Sequence, residues 1–128
     1  MTALLAGAVT LVATPAAAAS TPRCNSTLQV GSLRVPAYRS STLNTVFCVM
    51  PVGTTGAAVR QLQTSLNICY GQRLQVDGSY GWKTFNAVAA AQRAERMADV
   101  DGVYGPDTAV SIKHQNIHSP GASWCGYQ

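Results

Sequence analysis

The sequence predicts an all-α fold: a small three-helix module with an irregular, disulfide-tethered extension at its N-terminus. Three stretches carry apolar residues at the spacing of a helix, and turn motifs rather than strand-like runs separate them. The segment before them is rich in Ser, Thr and Asn, which predicts irregular structure. The 128 residues suffice for one domain, so we expect a single module.

The first 19 residues have the composition of a secretory signal peptide. An uncharged apolar run at 4–12 leads into alanines at 16–19, which match the small residues of a cleavage site, although no Lys or Arg precedes the run. A membrane anchor would need about 20 predominantly apolar residues, and Pro15 and several Thr interrupt this stretch. We therefore expect a secreted protein with no stable membrane insertion after removal of the leader.

Four cysteines follow the leader: Cys24, Cys48, Cys69 and Cys125. An even number in an exported chain predicts two disulfides, for which three pairings are possible. A zinc site is disfavoured because no two cysteines have the C-x-x-C spacing. The preferred pairing is Cys24–Cys48 with Cys69–Cys125, which would tether the extension and clamp the end of the module. Cys48–Cys69 remains an alternative.

The chain is accordingly divided into segments of different character. They are a signal peptide at 1–19, an irregular extension at 20–47, a helical domain at 48–118 and a C-terminal tail at 119–128 tied by Cys125. Within the extension, two short alternating stretches at 28–30 and 33–35 indicate extended backbone.

The helical spacing predicts helices at 56–68, 82–96 and 106–116. In the first of these, Val59, Leu62 and Leu66 share one face, and Gly71 is placed to supply a left-handed C-terminal cap. Helices of this length are marginal in isolation, so the packing of their apolar faces must supply most of the stability.

A turn motif occurs twice in the helical domain. The sequence DGSYGWKT at 77–84 returns 24 residues later as DGVYGPDT at 101–108. In each copy an Asp is expected to bond the backbone just ahead, a Gly to take a positive φ, a Tyr to pack into the core and a second Gly to precede a helix. These turn residues are Asp77, Gly78, Tyr80 and Gly81 in the first copy, and Asp101, Gly102, Tyr104 and Gly105 in the second.

The motifs resemble those of the peptidoglycan-binding domain found beside many bacterial cell-wall hydrolases, a small three-helix module. Its pattern G-x-x-V-x-x-L-Q-x-x-L, followed by two D-G-x-[FY]-G-x-x-T turns, matches 56–66 and both turns, so the resemblance covers about residues 50–116. Ala91 departs from it, because an aromatic residue usually stands there before the Gln. The resemblance implies non-catalytic binding of peptidoglycan by a secreted or wall-associated protein of the type made by filamentous actinobacteria.

Trp82 is the leading candidate for contact with a ligand. It lies at the first position of a helix, away from the apolar stripe, and an aromatic face with a polar N–H suits a sugar ring or a peptide. Further candidates would join it if a groove lies between the first turn and the second helix: Tyr70, Arg73, Lys83 and Asn86.

Catalytic and metal sites are not expected. Asp77 and Asp101 form a pair of carboxylates, but each occupies a turn in which its side chain already bonds the backbone. The sequence around Asp99 lacks the ligand pattern of an EF-hand. His114 and His118 have the i, i+4 spacing of a zinc pair but lack the Glu of H-E-x-x-H, so we expect solvent-facing histidines. No cofactor is predicted.

The charge balance is mildly basic. Nine Lys and Arg against five Asp and Glu give a formal charge of +4, which favours encounter with anionic wall polymers. The basic residues are scattered singly, so nucleic acid is not an expected partner. Two alternative functions stay open: an interaction protein that keeps the fold and contacts a partner such as a cell-wall hydrolase, and a small cell-wall hydrolase.

Overall fold

The computed structural model describes residues 7–8, 10, 20–118 and 125–128. The expected signal peptide at 1–19 lies almost wholly outside the described residues, as does the 119–124 part of the expected tail. The described part contains three helices and two antiparallel sheets. The all-α prediction is therefore wrong.

The segment predicted to be an irregular extension forms a three-stranded antiparallel sheet. Its strands are β1 (Ser26–Val30), β2 (Leu33–Arg39) and β3 (Asn44–Thr45), adjacent in that order. A two-residue turn joins β1 to β2, and Gly31 there has a φ of 59°, in the left-handed region that such tight hairpins require.

One face of β2 explains why this segment folds as a sheet. Leu33, Val35 and Ala37 alternate along the strand, and all three are buried. β2 packs against the first helix, and its Tyr38 contacts the hydrophobic core of the helical module. The sheet is thus held by apolar burial as well as by a disulfide.

The helices are α1 (Ala57–Tyr70), α2 (Trp82–Ala94) and α3 (Pro106–Ser111). The bounds of α1 and α2 lie within two residues of the predicted ones. In α1, Val59, Leu62 and Leu66 are fully buried. Gly71 ends α1 with a φ of 63° and donates its N–H to the Leu66 carbonyl, the expected left-handed cap.

The third helix is shorter than the predicted 106–116. It ends at Ser111, and Ile112 is already extended, with φ −98° and ψ 159°. The chain then enters β4 (His114–Gln115), which pairs with β5 (Cys125–Gly126). Because the partner strand comes from the far end of the chain, local helical spacing gave no sign of it.

The disulfides are Cys24–Cys48 and Cys69–Cys125. This is the preferred of the pairings left open by the sequence, and it excludes Cys48–Cys69. The first bridge ties the chain just before β1 to the chain after β3, and the second ties the end of α1 to β5. Each closes a loop of a size at which a disulfide typically stabilises a fold by about 2–4 kcal/mol.

His114 lies in the core, which corrects the expectation of a solvent-facing side chain. It is fully buried, its Nε2–H donates to the Ala109 carbonyl at 2.7 Å, and its ring meets Tyr104 edge-on with centroids 6.2 Å apart. His118 is exposed, and its Nε2 lies 2.8 Å from the Gln29 side-chain amide. The helix ends before both histidines, so they do not share a helical face.

Burial of His114 predicts a loss of stability in weak acid. Burial lowers the pKa of the imidazole below its usual 6.5, so the unfolded chain takes up a proton at a higher pH than the folded chain does. The free energy of unfolding should therefore fall as the pH drops below 6.5, by at most about 1.4 kcal/mol per pH unit. Urea unfolding at a series of pH values between 7.5 and 5 measures this slope.

A variant of the buried histidine assigns the slope. His114→Gln should remove the slope between pH 7.5 and 5, because Gln does not titrate. An unchanged slope in His114→Gln would contradict the assignment to His114.

Candidate binding site

The first turn is built around a buried amide on α1. Gln63 is 1% exposed, and its Nε2 donates to Asp77 Oδ1, to the Ser79 carbonyl and to Thr84 Oγ1 at 3.0–3.1 Å. Its Oε1 accepts the Gly78 N–H at 3.0 Å. Asp77 Oδ1 also accepts the Ser79 N–H at 2.9 Å, as expected for a D-G turn. The turn is therefore fixed to both α1 and the start of α2.

The second turn repeats this arrangement around an amide on α2. Gln92 is also 1% exposed, and its Nε2 donates to Asp101 Oδ1, the Val103 carbonyl and Thr108 Oγ1 at 2.9–3.1 Å. Its Oε1 accepts the Gly102 N–H at 2.9 Å. Asp101 Oδ1 accepts the Val103 N–H at 3.0 Å. The Gln, Asp and Thr side chains therefore form these same hydrogen bonds in the two copies.

The two glutamines are functional residues that the sequence analysis missed. The sequence pattern contains both residues, Gln63 in G-x-x-V-x-x-L-Q-x-x-L and Gln92 after Ala91, but it predicts no role for either. The available signal was a polar residue at a position whose helical neighbours are buried, ahead of a D-G turn in both cases. Their spacing to the Asp differs, 14 residues for Gln63 and 9 for Gln92, which hides the equivalence.

The tyrosines of the two turns connect the turns to the core. Tyr80 and Tyr104 are both fully buried or nearly so, at 1% and 0% exposure. The Tyr80 hydroxyl donates to the Gly102 carbonyl at 2.6 Å, which joins one turn to the other. The Tyr104 N–H donates to the Met50 carbonyl, and the Met50 N–H donates to the Tyr104 carbonyl. Both tyrosines therefore hold the turns in place and present no surface to a ligand.

A groove with an aromatic wall opens at the first turn. It has a volume of about 400 Å³, and we call it the first groove. Trp82 stands on its wall with 68% of its surface exposed, and the Trp82 ring rests edge-on against Phe85 with centroids 5.2 Å apart. The lining residues are Gln63, Arg73, Leu74, Gln75, Asp77, Ser79, Gly81, Trp82, Lys83 and Thr84.

A second groove of about 470 Å³ opens at the second turn. Gln92, Asp101 and Thr108 line it at positions equivalent to those of the first groove. Pro106 replaces the tryptophan and Asp107 replaces the lysine, so this groove lacks an aromatic wall.

The structure brings together three of the five predicted ligand contacts. Trp82, Arg73 and Lys83 line the first groove. Asn86 is exposed on α2 but is not among the residues of its lining, and neither is Tyr70.

Tyr70 is held at a different place. Its hydroxyl donates to Glu95 Oε1 at 2.8 Å and accepts the Lys113 N–H at 2.7 Å. Burial raises the pKa of this hydroxyl far above its usual value. These bonds tie the end of α1 to the end of α2 and to the chain before β4, which is a structural role.

The carboxylate of the first turn has the opposite electrostatics to a general acid. Hydrogen bonds from the Ser79 N–H and from Gln63 hold the pKa of the Asp77 carboxyl below its usual value, helped by the positive charge of Arg60. A glycosidase needs one carboxyl whose pKa is raised. In the described part of the chain, no three His, Cys, Asp or Glu side chains are grouped so as to hold a metal ion.

Comparison with protein families matches residues 55–112, which contain both turns, to the family described as "Putative peptidoglycan binding domain". The match supports that family. The matched segment contains α1, α2, α3 and both turns, while the sheet of β1–β3 lies before it.

The chain also resembles one curated protein at 32% identity over 90 residues, a "Probable N-acetylmuramoyl-L-alanine amidase" of Bacillus licheniformis. The aligned part is 68% of this chain and 25% of the amidase, so the chain spans about a quarter of that relative. No solved structure is significantly similar. None of the helices within the described residues is long and apolar enough to cross a membrane.

Proposed function

We propose that this protein is exported and binds bacterial cell-wall peptidoglycan through the first groove, without cutting it. The observation that carries the proposal is the coincidence of the family match at 55–112 with a groove whose wall is an exposed tryptophan. The amidase relative, named for a cell-wall reaction, is consistent with the same polymer.

The groove is suited to binding because it is rigid before the ligand arrives. Gln63 fixes the turn through four hydrogen bonds, and Phe85 supports the ring of Trp82. A preformed site loses less conformational entropy on binding than a mobile one. The aromatic face then offers apolar contact, and the indole N–H offers a hydrogen bond.

The absence of cleavage is proposed from the roles of the carboxylates. Asp77 and Asp101 each accept a backbone N–H two residues ahead and an amide N–H from a buried Gln. Carboxylates held in this way serve the turns, and the lowered pKa of Asp77 opposes proton donation at neutral pH.

Export is proposed from the composition of residues 1–19 and from the disulfides. Both bridges join cysteines that are distant in sequence, and such bridges persist in oxidising compartments outside the cytoplasm.

Co-sedimentation with purified, protein-free peptidoglycan tests the binding. We expect the protein to pellet with the polymer at low and at moderate salt, and dye-labelled peptidoglycan to release no dye. Protein that stays in the supernatant at both salt concentrations would contradict the proposal and favour an interaction protein, for instance one that contacts a cell-wall hydrolase. Dye release that is lost in Asp77→Asn or Asp101→Asn would contradict the non-catalytic part.

A further inference from the structure

The two grooves share one turn motif but carry opposite charge. Arg73 and Lys83 line the first groove together with a single carboxylate, that of Asp77. The second groove is lined by three carboxylates and by no Lys or Arg: Asp99, Asp101 and Asp107. Because the two grooves are built on the same turn motif, they differ mainly in the charge that each presents to a ligand.

The side-chain charges that the first groove leaves unpaired, and so available to a ligand, are positive. Asp77 is already occupied by the Ser79 N–H and by Gln63, and its pKa is lowered accordingly. Arg73 and Lys83 are exposed, and neither side chain forms a hydrogen bond or an ion pair with any described residue. Two unpaired cations therefore stand beside the exposed face of Trp82.

Peptidoglycan offers two kinds of surface to such a groove. Its N-acetylated glycan strand is uncharged, whereas its stem peptides carry free carboxylates. An uncharged sugar would offer Arg73 and Lys83 only neutral acceptors, while a carboxylate accepts the stronger charge-assisted hydrogen bonds from both types of cation.

We infer, on the basis of the proposed function, that the first groove recognises the carboxylate-bearing stem peptide rather than the glycan strand. The peptide lies against Trp82, and Arg73 and Lys83 bind its carboxylate. The second groove rejects the same group because Asp99 and Asp107 repel it, and Asp101 is held by its turn as Asp77 is.

Calorimetric titration of the full chain with defined probes tests this inference. The probes are a disaccharide-peptide fragment of peptidoglycan with free carboxylates, the same fragment with its carboxylates converted to carboxamides, and an uncharged N-acetylglucosamine tetramer. We expect the acid fragment to bind about tenfold more tightly than the amide, since exposed ion pairs typically contribute about two- to fivefold each. The tetramer should bind more weakly than the acid fragment.

Charge-removing variants assign the effect to the groove. Lys83→Gln and Arg73→Gln should each weaken binding of the acid fragment by about two- to fivefold and leave binding of the amide unchanged. Arg34→Gln removes the same charge from an exposed position on β2 outside the groove, and it should alter neither. All three residues are exposed, so the variants should fold.

The outcomes separate this inference from the proposed function. Protein that sediments with peptidoglycan but binds the acid and amide fragments equally overturns the inference alone. If the N-acetylglucosamine tetramer binds as tightly as the acid fragment, the inference is likewise overturned, in favour of recognition of the glycan strand. Sedimentation that requires phosphate polymers left on the wall, with no binding of the acid fragment, overturns it in favour of a phosphodiester. Failure to sediment with any wall preparation contradicts the proposed function itself.

Discussion

Gly102→Ala is expected to lower the free energy of unfolding by about 2–5 kcal/mol. Gly102 has a φ of 69°, where an L side chain costs about 1–2 kcal/mol. A Cβ there would also lie 2.5 Å from the Phe85 ring, and overpacking of this kind typically costs about 1–3 kcal/mol. Urea unfolding with the disulfides intact measures the loss.

Gly78→Ala is the matched control, because the other turn copy has the same backbone but a different neighbour. Its φ is 73°, and the atoms nearest its added Cβ would be those of the flexible Arg60 side chain, at 3.1 Å. The loss should therefore be about 1–2 kcal/mol, from the backbone alone. Gly105→Ala, with φ −126° and open space around the Cβ, should cost still less. Equal losses for Gly102→Ala and Gly78→Ala would contradict the packing of Phe85 against the second turn.

Trp82→Ala is expected to weaken binding to peptidoglycan by tenfold or more. Removal of an aromatic anchor at the centre of a binding site commonly costs about 2 kcal/mol or more, and about 1.4 kcal/mol corresponds to tenfold. Because Trp82 is 68% exposed, its removal should change stability little. Sedimentation with increasing amounts of peptidoglycan gives the affinity, and circular dichroism checks the fold.

Two variants make the Trp82 result specific. Trp82→Phe keeps an aromatic face and should retain much of the affinity. Phe47→Ala removes a different aromatic side chain, 56% exposed and outside the groove, and should leave the affinity unchanged. Equal affinities of the wild type and Trp82→Ala would remove Trp82 from the site.

The parts of the fold that could be predicted are those specified by nearby residues. α1, α2 and the turns have their periodicity, caps and glycines within one stretch of chain. The sheet and the short α3 depend on partners elsewhere. Leu33 and Val35 show strand alternation, but only the packing of β2 on α1 makes that alternation stable. β4 needs β5, which the Cys69–Cys125 bridge holds near the end of α1.

The residues of the candidate site also divide into those that nearby sequence predicts and those that depend on distant parts of the chain. Trp82 and Lys83 could be found because they follow the first turn directly, and Arg73 because it lies just before it. Tyr70 lies outside the lining of the first groove, since its hydroxyl bonds to Glu95, 25 residues away, and no local pattern indicates that. The opposite charge of the two grooves was visible in the repeat as Lys83 against Asp107, but its meaning required the lining of both grooves.

The central claim is that the first groove is where this protein meets peptidoglycan. The most direct test follows the backbone amide signals in NMR spectra of the labelled full chain while the soluble disaccharide-peptide fragment is added. We predict shifts concentrated at the first groove, including Trp82, Lys83 and Arg73, with the indole N–H of Trp82 among them, and little change at Asp107 and Ser111 of the second groove. Shifts confined to the second groove or to the β1–β2 sheet, with Trp82 unaffected, would contradict the claim.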